Sequence, residues 1–150
     1  MDLSKYQLSS KLNLTRFEFT SEGLNGNIEK IVIFESVATE SGEIFNLCFG
    51  DKNPLTGELN DTIISNNGDR NKVLATVAFT VYSFTDVYKD ALIAMKGNTE
   101  VRTRLYQIAI NTYYDEIKQN FSVFALLDGD WVVFEKNVNY IRFARRQISK

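Results

Sequence analysis

The residues best suited to chemistry in this chain are arginines at the starts of helices. The stretch KGNTEVRTRLY, from Lys96 to Tyr106, predicts a helix opening after Gly97, with Arg102 and Arg104 near its start. Backbone N–H groups there carry partial positive charge, so a cation in the first turn costs roughly 0.3–1 kcal/mol. Burial of an unpaired guanidinium costs more. Such an arginine therefore needs an anionic or carbonyl partner. The sequence NNGDR repeats the arrangement, with Asp69 and Arg70 directly after Gly68. On a helical wheel Arg70 falls on the side of Val73, Leu74 and Val77, and Arg102 falls near Ala109 and Tyr113. Arg104 sits at the border of that arc, toward Asp115. Free helix-start amides combined with forked guanidinium groups suit a phosphate, nucleotide or carboxylate. The candidate ligand-binding set is Asp69, Arg70, Arg102, Thr103, Arg104 and Tyr106, on the condition that the two helix starts converge. The plainer alternative is a set of internal ion pairs to Asp69, Glu100, Asp128 or Asp130. Neither glycine stretch contains the G-x-x-x-x-G-K-[ST] pattern of a phosphate-binding loop.

The remaining chemistry is bounded by what the chain lacks. It has no histidine and one cysteine, Cys48. Ser-His-Asp and Cys-His nucleophile systems are therefore excluded, as is a Cys/His zinc site within one chain. Cys48 alternates with Ile44 on a strand pattern, which suits inert packing better than a reactive thiol. The acidic loops of the first half lack the alternating ligands of a calcium-binding loop, so no metal site is expected. No cofactor motif is present. A basic strip near the C-terminus, Arg142, Arg145 and Arg146 with Tyr140 and Phe143, is a candidate nucleic-acid contact. The formal net charge of −2 argues against broad nucleic-acid binding, and a solvated tail is the simpler reading.

The elements that must position these groups follow from pattern. LTRFEFTSE (Leu14–Glu22) alternates, with Thr15, Phe17 and Phe19 on one face and Arg16 and Glu18 on the other. Asn25-Gly26 is a tight-turn dipeptide. NIEKIVIFESV and EIFNLCF complete a three-stranded meander. GDKNPLTGELND reads as a loop, followed by a short strand, DTIIS. A helix is expected from about Arg70 to Tyr88, apolar over most of its surface, with Val73, Val77, Val81, Phe84 and Tyr88 on one stripe. ALIAMK is a strand. The second helix runs to about Lys118, with Val101, Leu105, Ile108 and Thr112 as its inner stripe and Thr103, Gln107 and Asn111 on the polar side. FSVFALLDG and DWVVFEK form a hairpin. The tail reads as a short helix or an edge segment.

Strands followed by helices interleaved with strands indicate an α+β fold. The expectation is a mostly antiparallel sheet of about five to seven strands, two main helices packed on one face, and a short C-terminal element. A chain of 150 residues suits one domain, residues 1–150. The apolar fraction of 44%, with 11 Phe and 7 Tyr, is ample for a core. The first residues lack the basic and apolar regions of a signal peptide, and no apolar run is long enough to span a membrane, so a cytoplasmic protein is expected.

GDRNKVLATV (Gly68–Val77), GNTEVRTRLYQIAI (Gly97–Ile110) and FALLDGDWVVFEKNVNY (Phe124–Tyr140) together resemble an uncharacterised family of small bacterial cytosolic proteins. The resemblance covers most of the chain. It implies that Asp69, Arg70, Arg102, Thr103, Arg104, Tyr106 and Tyr140 belong to a family signature, and it implies no activity. Asn98 stands where the family pattern favours Ser or Thr, and either type caps a helix. Three functions remain in view. The first is a non-catalytic binding protein for a small anion. The second is a toxin–antitoxin or defence component acting on RNA or nucleotides through Arg102, Arg104 and Tyr106. The third is a structural protein that assembles as a homodimer.

Overall fold

The computed structural model describes residues 5–11, 13–39, 42–60, 66–95, 100–127, 130–135 and 143–147. The chain is α+β. In order it forms β1 (Ser9–Lys11), β2 (Arg16–Gly23), β3 (Gly26–Thr39), β4 (Gly42–Lys52), β5 (Leu59–Asn60), α1 (Arg70–Val87), β6 (Leu92–Met95), α2 (Glu100–Ile117), β7 (Phe121–Leu127), β8 (Asp130–Val133) and β9 (Phe143–Gln147). Two compact units result: residues 1–34 with 48–87, and residues 35–47 with 88–150. The long strands β3 and β4 contribute residues to both.

In the first unit β1, β2 and β3 pair antiparallel, with Phe17 opposite Val32 and Phe19 opposite Lys30. The turn at Leu24-Asn25 joins β2 to β3, as the Asn-Gly dipeptide predicts. Strand β4 runs on through Lys52, further than its apolar pattern reaches, because β5 pairs with its polar end. The expected loop therefore begins at Asn53. The predicted strand DTIIS lies outside the described residues. Helix α1 buries Val73, Val77, Val81 and Phe84, four of the five residues its periodicity marks, and Tyr88, just past its end, is half-buried. Aromatic rings carry much of this core. Phe34 stacks on Phe84 at 4.2 Å, and Tyr6, Phe19 and Phe49 form a stacked column at 5.7 and 6.4 Å.

In the second unit β6 lies parallel to β4, with Phe45 opposite Ile93. The other pairs are antiparallel: β9 with β6, β9 with β7, and β7 with β8. The tail is therefore not an edge segment. Its strand lies between two partners, with Arg145 opposite both Ile93 and Val123. Buried Ile93, Met95, Tyr106, Ile110, Ile117, Phe121, Val123 and Phe134 form this core.

Helix α2 corrects the wheel. Thr103 and Gln107, expected on the polar side, are only 9% and 8% exposed, while Val101, expected inside, is 58% exposed. Leu105 and Ile108 are half-buried and Thr112 is exposed. The buried face instead runs through Thr103, Tyr106, Gln107, Ile110 and Ile117. The apolar residues of α2 are spread over too wide an arc to fix its rotation, and Tyr106 and Ile110 decide it. The helix also bends at Tyr113, whose φ and ψ are −111° and 15°. The Thr112 hydroxyl donates to the Ile108 carbonyl at 2.7 Å beside this bend, a bond of the kind that distorts helices.

Candidate functional site

The start of α1 is built from Asn67, Gly68, Asp69 and Arg70. Asn67 is buried, and its side chain closes the β2–β3 turn. Its Oδ1 accepts from the Asn25 N–H at 2.6 Å, and its Nδ2 donates to the Gly26 carbonyl at 2.9 Å and to Ser21 Oγ at 3.1 Å. The backbone passes so close that a Cβ on Gly23 would fall 2.0 Å from the Asn67 carbonyl oxygen. Gly68 has φ +77°, a left-handed conformation that favours glycine. Asp69 then enters the helix as its cap residue, its carbonyl accepting from the Val73 N–H at 3.0 Å.

The Asp69 carboxylate does not serve Arg70. One of its oxygens, Oδ2, accepts from the Tyr6 hydroxyl and from Ser21 Oγ, both at 2.5 Å. The Tyr6 oxygen in turn accepts from the Glu22 N–H at 3.0 Å. Burial, then Asp69, pushes the Tyr6 phenol above its ordinary pKa. Arg70 lies exposed, where the wheel had placed it inward. The first turn sits at the end of the packed stripe, so its position on the wheel no longer implies a neighbour. Arg70 has no ion pair among the described residues. Its turn also holds Lys72, whose Nζ lies 4.2 Å from the centre of the Tyr6 ring, and no acidic residue.

At the start of α2, Gly97 and Asn98 lie outside the described residues. Arg102 belongs to the helix, but its side chain lies outside them. Arg104 is exposed, while Thr103 and Tyr106 are buried and engaged by neighbours. Arg70 belongs to the first unit and Arg102 to the second. Of the suggested ion-pair acceptors, Asp69 is engaged elsewhere, and Asp128 lies outside the described residues. So does Arg142. Arg145 and Arg146 lie in β9, whose backbone pairs with β6 and β7, and their side chains lie outside the described residues.

Residues 2–148 match a family of unknown function, DUF6934. The chain belongs to this family. No curated protein and no solved structure matches it. Membership in DUF6934 agrees with the resemblance read from the sequence and assigns no activity.

This DUF6934 chain also holds a charge network on the strand face that carries Arg16 and Glu18. Glu18 is buried. Its Oε1 accepts from Lys52 Nζ at 2.8 Å, and its Oε2 lies 3.0 Å from Lys11 Nζ and 3.5 Å from Arg16 Nε. The Lys52 hydrogen bond, outweighing desolvation and helped by Lys11, holds the Glu18 carboxyl down at about 2. Arg16 Nη2 also donates to the Gly57 carbonyl at 3.1 Å. Facing the other way, Lys30 pairs with Asp51, both largely withdrawn from water. Sequence pattern did not mark this network. Its cations come from three elements, Lys11 in β1, Arg16 in β2 and Lys52 in β4, and Lys52 lies in a stretch that reads as loop. Among the described residues no three acidic, histidine or cysteine side chains gather as a metal site, and no helix is long and apolar enough to cross a membrane.

Proposed function

We propose that this protein is a non-catalytic binding protein that recognises a small anion, such as phosphate, a nucleotide or a carboxylate, at its arginine-bearing helix starts. Arg70 serves the start of α1, and Arg102 and Arg104 serve the start of α2. Asp69, Thr103 and Tyr106 hold those starts in shape from within. The observation that carries this reading is the commitment of Asp69 to Tyr6 and Ser21. One oxygen of the neighbouring carboxylate is thereby taken by two neutral donors, and Arg70 stands exposed. A cation at a helix start opposes the backbone dipole, and a bound anion reverses that sign. We place the protein in the cytoplasm, where phosphorylated metabolites are abundant.

A thermal-shift series with phosphate, AMP and citrate tests the reading. An anion at a hundred times its dissociation constant stabilises the native state by about 2.7 kcal/mol, which raises the melting temperature measurably. Arg70→Ala and Arg104→Ala each remove part of that rise while leaving the ligand-free melting temperature unchanged. A wild-type protein indifferent to all three anions overturns the proposal.

A further inference from the structure

The first unit carries an open groove of about 770 Å³ between the beginning of β3 and the end of β4. That volume lies within the roughly 300–1,000 Å³ range of small-ligand sites. We propose that this groove binds a neutral, hydroxyl-rich ring compound, a sugar or glycoside. Strands β3 and β4 are joined through only two residues, so they run antiparallel and bring these two ends to the same side. The strand ends supply Asn27, Ile28 and Glu29 from one side and Asp51 and Lys52 from the other, and Asn60 closes the groove from β5.

The wall formed by residues 53–58 is a locked turn. Asn53 Oδ1 accepts from the Leu55 and Thr56 N–H groups at 2.9 and 3.3 Å, and the Gly57 N–H donates to the Asn53 carbonyl at 2.8 Å. This turn holds Leu55 94% exposed at the groove, beside Pro54. With Ile28 these side chains offer an apolar surface to the C–H face of a sugar ring.

Charge selects against ions. Lys52 is bound to Glu18, Asp51 is bound to Lys30, and Glu29 Oε1 accepts from Thr20 Oγ at 2.7 Å. Each charged side chain of the wall is thus paired or hydrogen-bonded within the chain. Glu29 and Asp51 against Lys52 leave the lining at −1, which disfavours an anion. Asparagine amides both donate and accept, and carboxylates accept through two oxygens, the combination that grips neighbouring hydroxyls. The site is independent of the helix-start arginines and has the opposite charge preference.

Titration of the isotopically labelled protein with methyl glucoside and with cellobiose, followed by NMR, tests it. The expected result is saturable movement of the Asn27 and Asn60 side-chain amides and the Leu55 methyls. Affinity falls about tenfold in Leu55→Ser and in Asn27→Ala, both at exposed positions, and both variants keep the wild-type melting temperature. Arg70→Ala leaves the response unchanged, and glucose 6-phosphate binds more weakly at these residues than methyl glucoside. The proposal is overturned by an absence of saturable shifts, by shifts that persist undiminished in both groove variants, or by preference for the phosphorylated sugar at these residues.

Discussion

At the residue scale, the groups whose roles are clearest are those that hold the α1 start in place. Tyr6 and Ser21 share one oxygen of Asp69, and Asn67 closes the adjoining turn. Tyr6→Phe removes one of the two donors from that carboxylate oxygen and leaves the ring stack with Phe19 intact. The expected cost is about 1–3 kcal/mol, read from the urea midpoint at constant slope. Glu18 gives a pH signature. Its folded pKa, about 2, lies below its unfolded value near 4.5, so its stabilising contribution is present above pH 4.5 and is lost as pH falls toward 2. Glu18→Gln is therefore destabilised near pH 6, and its difference from wild type shrinks as pH drops through that window. A difference that stays constant from pH 6 to pH 2.5 in urea titrations contradicts the assignment. Tyr6 behaves in the opposite sense. Its raised pKa contributes stability below its ordinary value of 10, and that contribution is lost as pH rises through the folded value. Asp69 and Arg70 were visible in the sequence as a pair. That Asp69 answers to Tyr6, 63 residues away, was not, because nothing local to Tyr6 marks a long-range partner.

At the scale of elements, α1 was legible and α2 was legible only in extent. The valines of α1 and Phe84 fall on a single stripe, so periodicity alone orients it. In α2 the apolar residues occupy two overlapping arcs, and the fold buries the arc that also contains Thr103 and Gln107. Val101→Ser should therefore change stability by no more than about 0.5 kcal/mol, while Ile110→Ala should cost about 2–5 kcal/mol. Equal costs, measured by denaturant unfolding, would return the helix to the rotation its hydrophobic pattern suggests. Strand β9 escaped notice for a different reason. Phe143-Ala144-Arg145-Arg146-Gln147 lacks the apolar run of an interior strand, and its place between β6 and β7 comes from non-local pairing that no window of sequence contains. The end of β4 was missed in the same way, since Asp51 and Lys52 look like loop until β5 pairs with them.

At the scale of the molecule, the α+β class and its mostly antiparallel pairing follow from the order of strand and helix patterns. The division into two compact units does not, because it runs through the middle of β3 and β4, which carry no composition shift. We propose that the chain nonetheless unfolds as one domain, since each unit needs residues of both strands. Fluorescence of Trp131, which belongs to the second unit, and far-UV circular dichroism of the whole chain should give coincident urea transitions. Separated midpoints would show two independently folding units. The functional account rests on Arg70 facing water at a helix start whose cap carboxylate is hydrogen-bonded to Tyr6 and Ser21. The most direct test follows the backbone amides of residues 70–72 by NMR during a phosphate titration of the wild type and of Arg70→Ala. The account predicts saturable shifts at those amides, suppressed in the variant and weakened by added salt. Amides that stay still in the wild type, or that move equally in the variant, would contradict it.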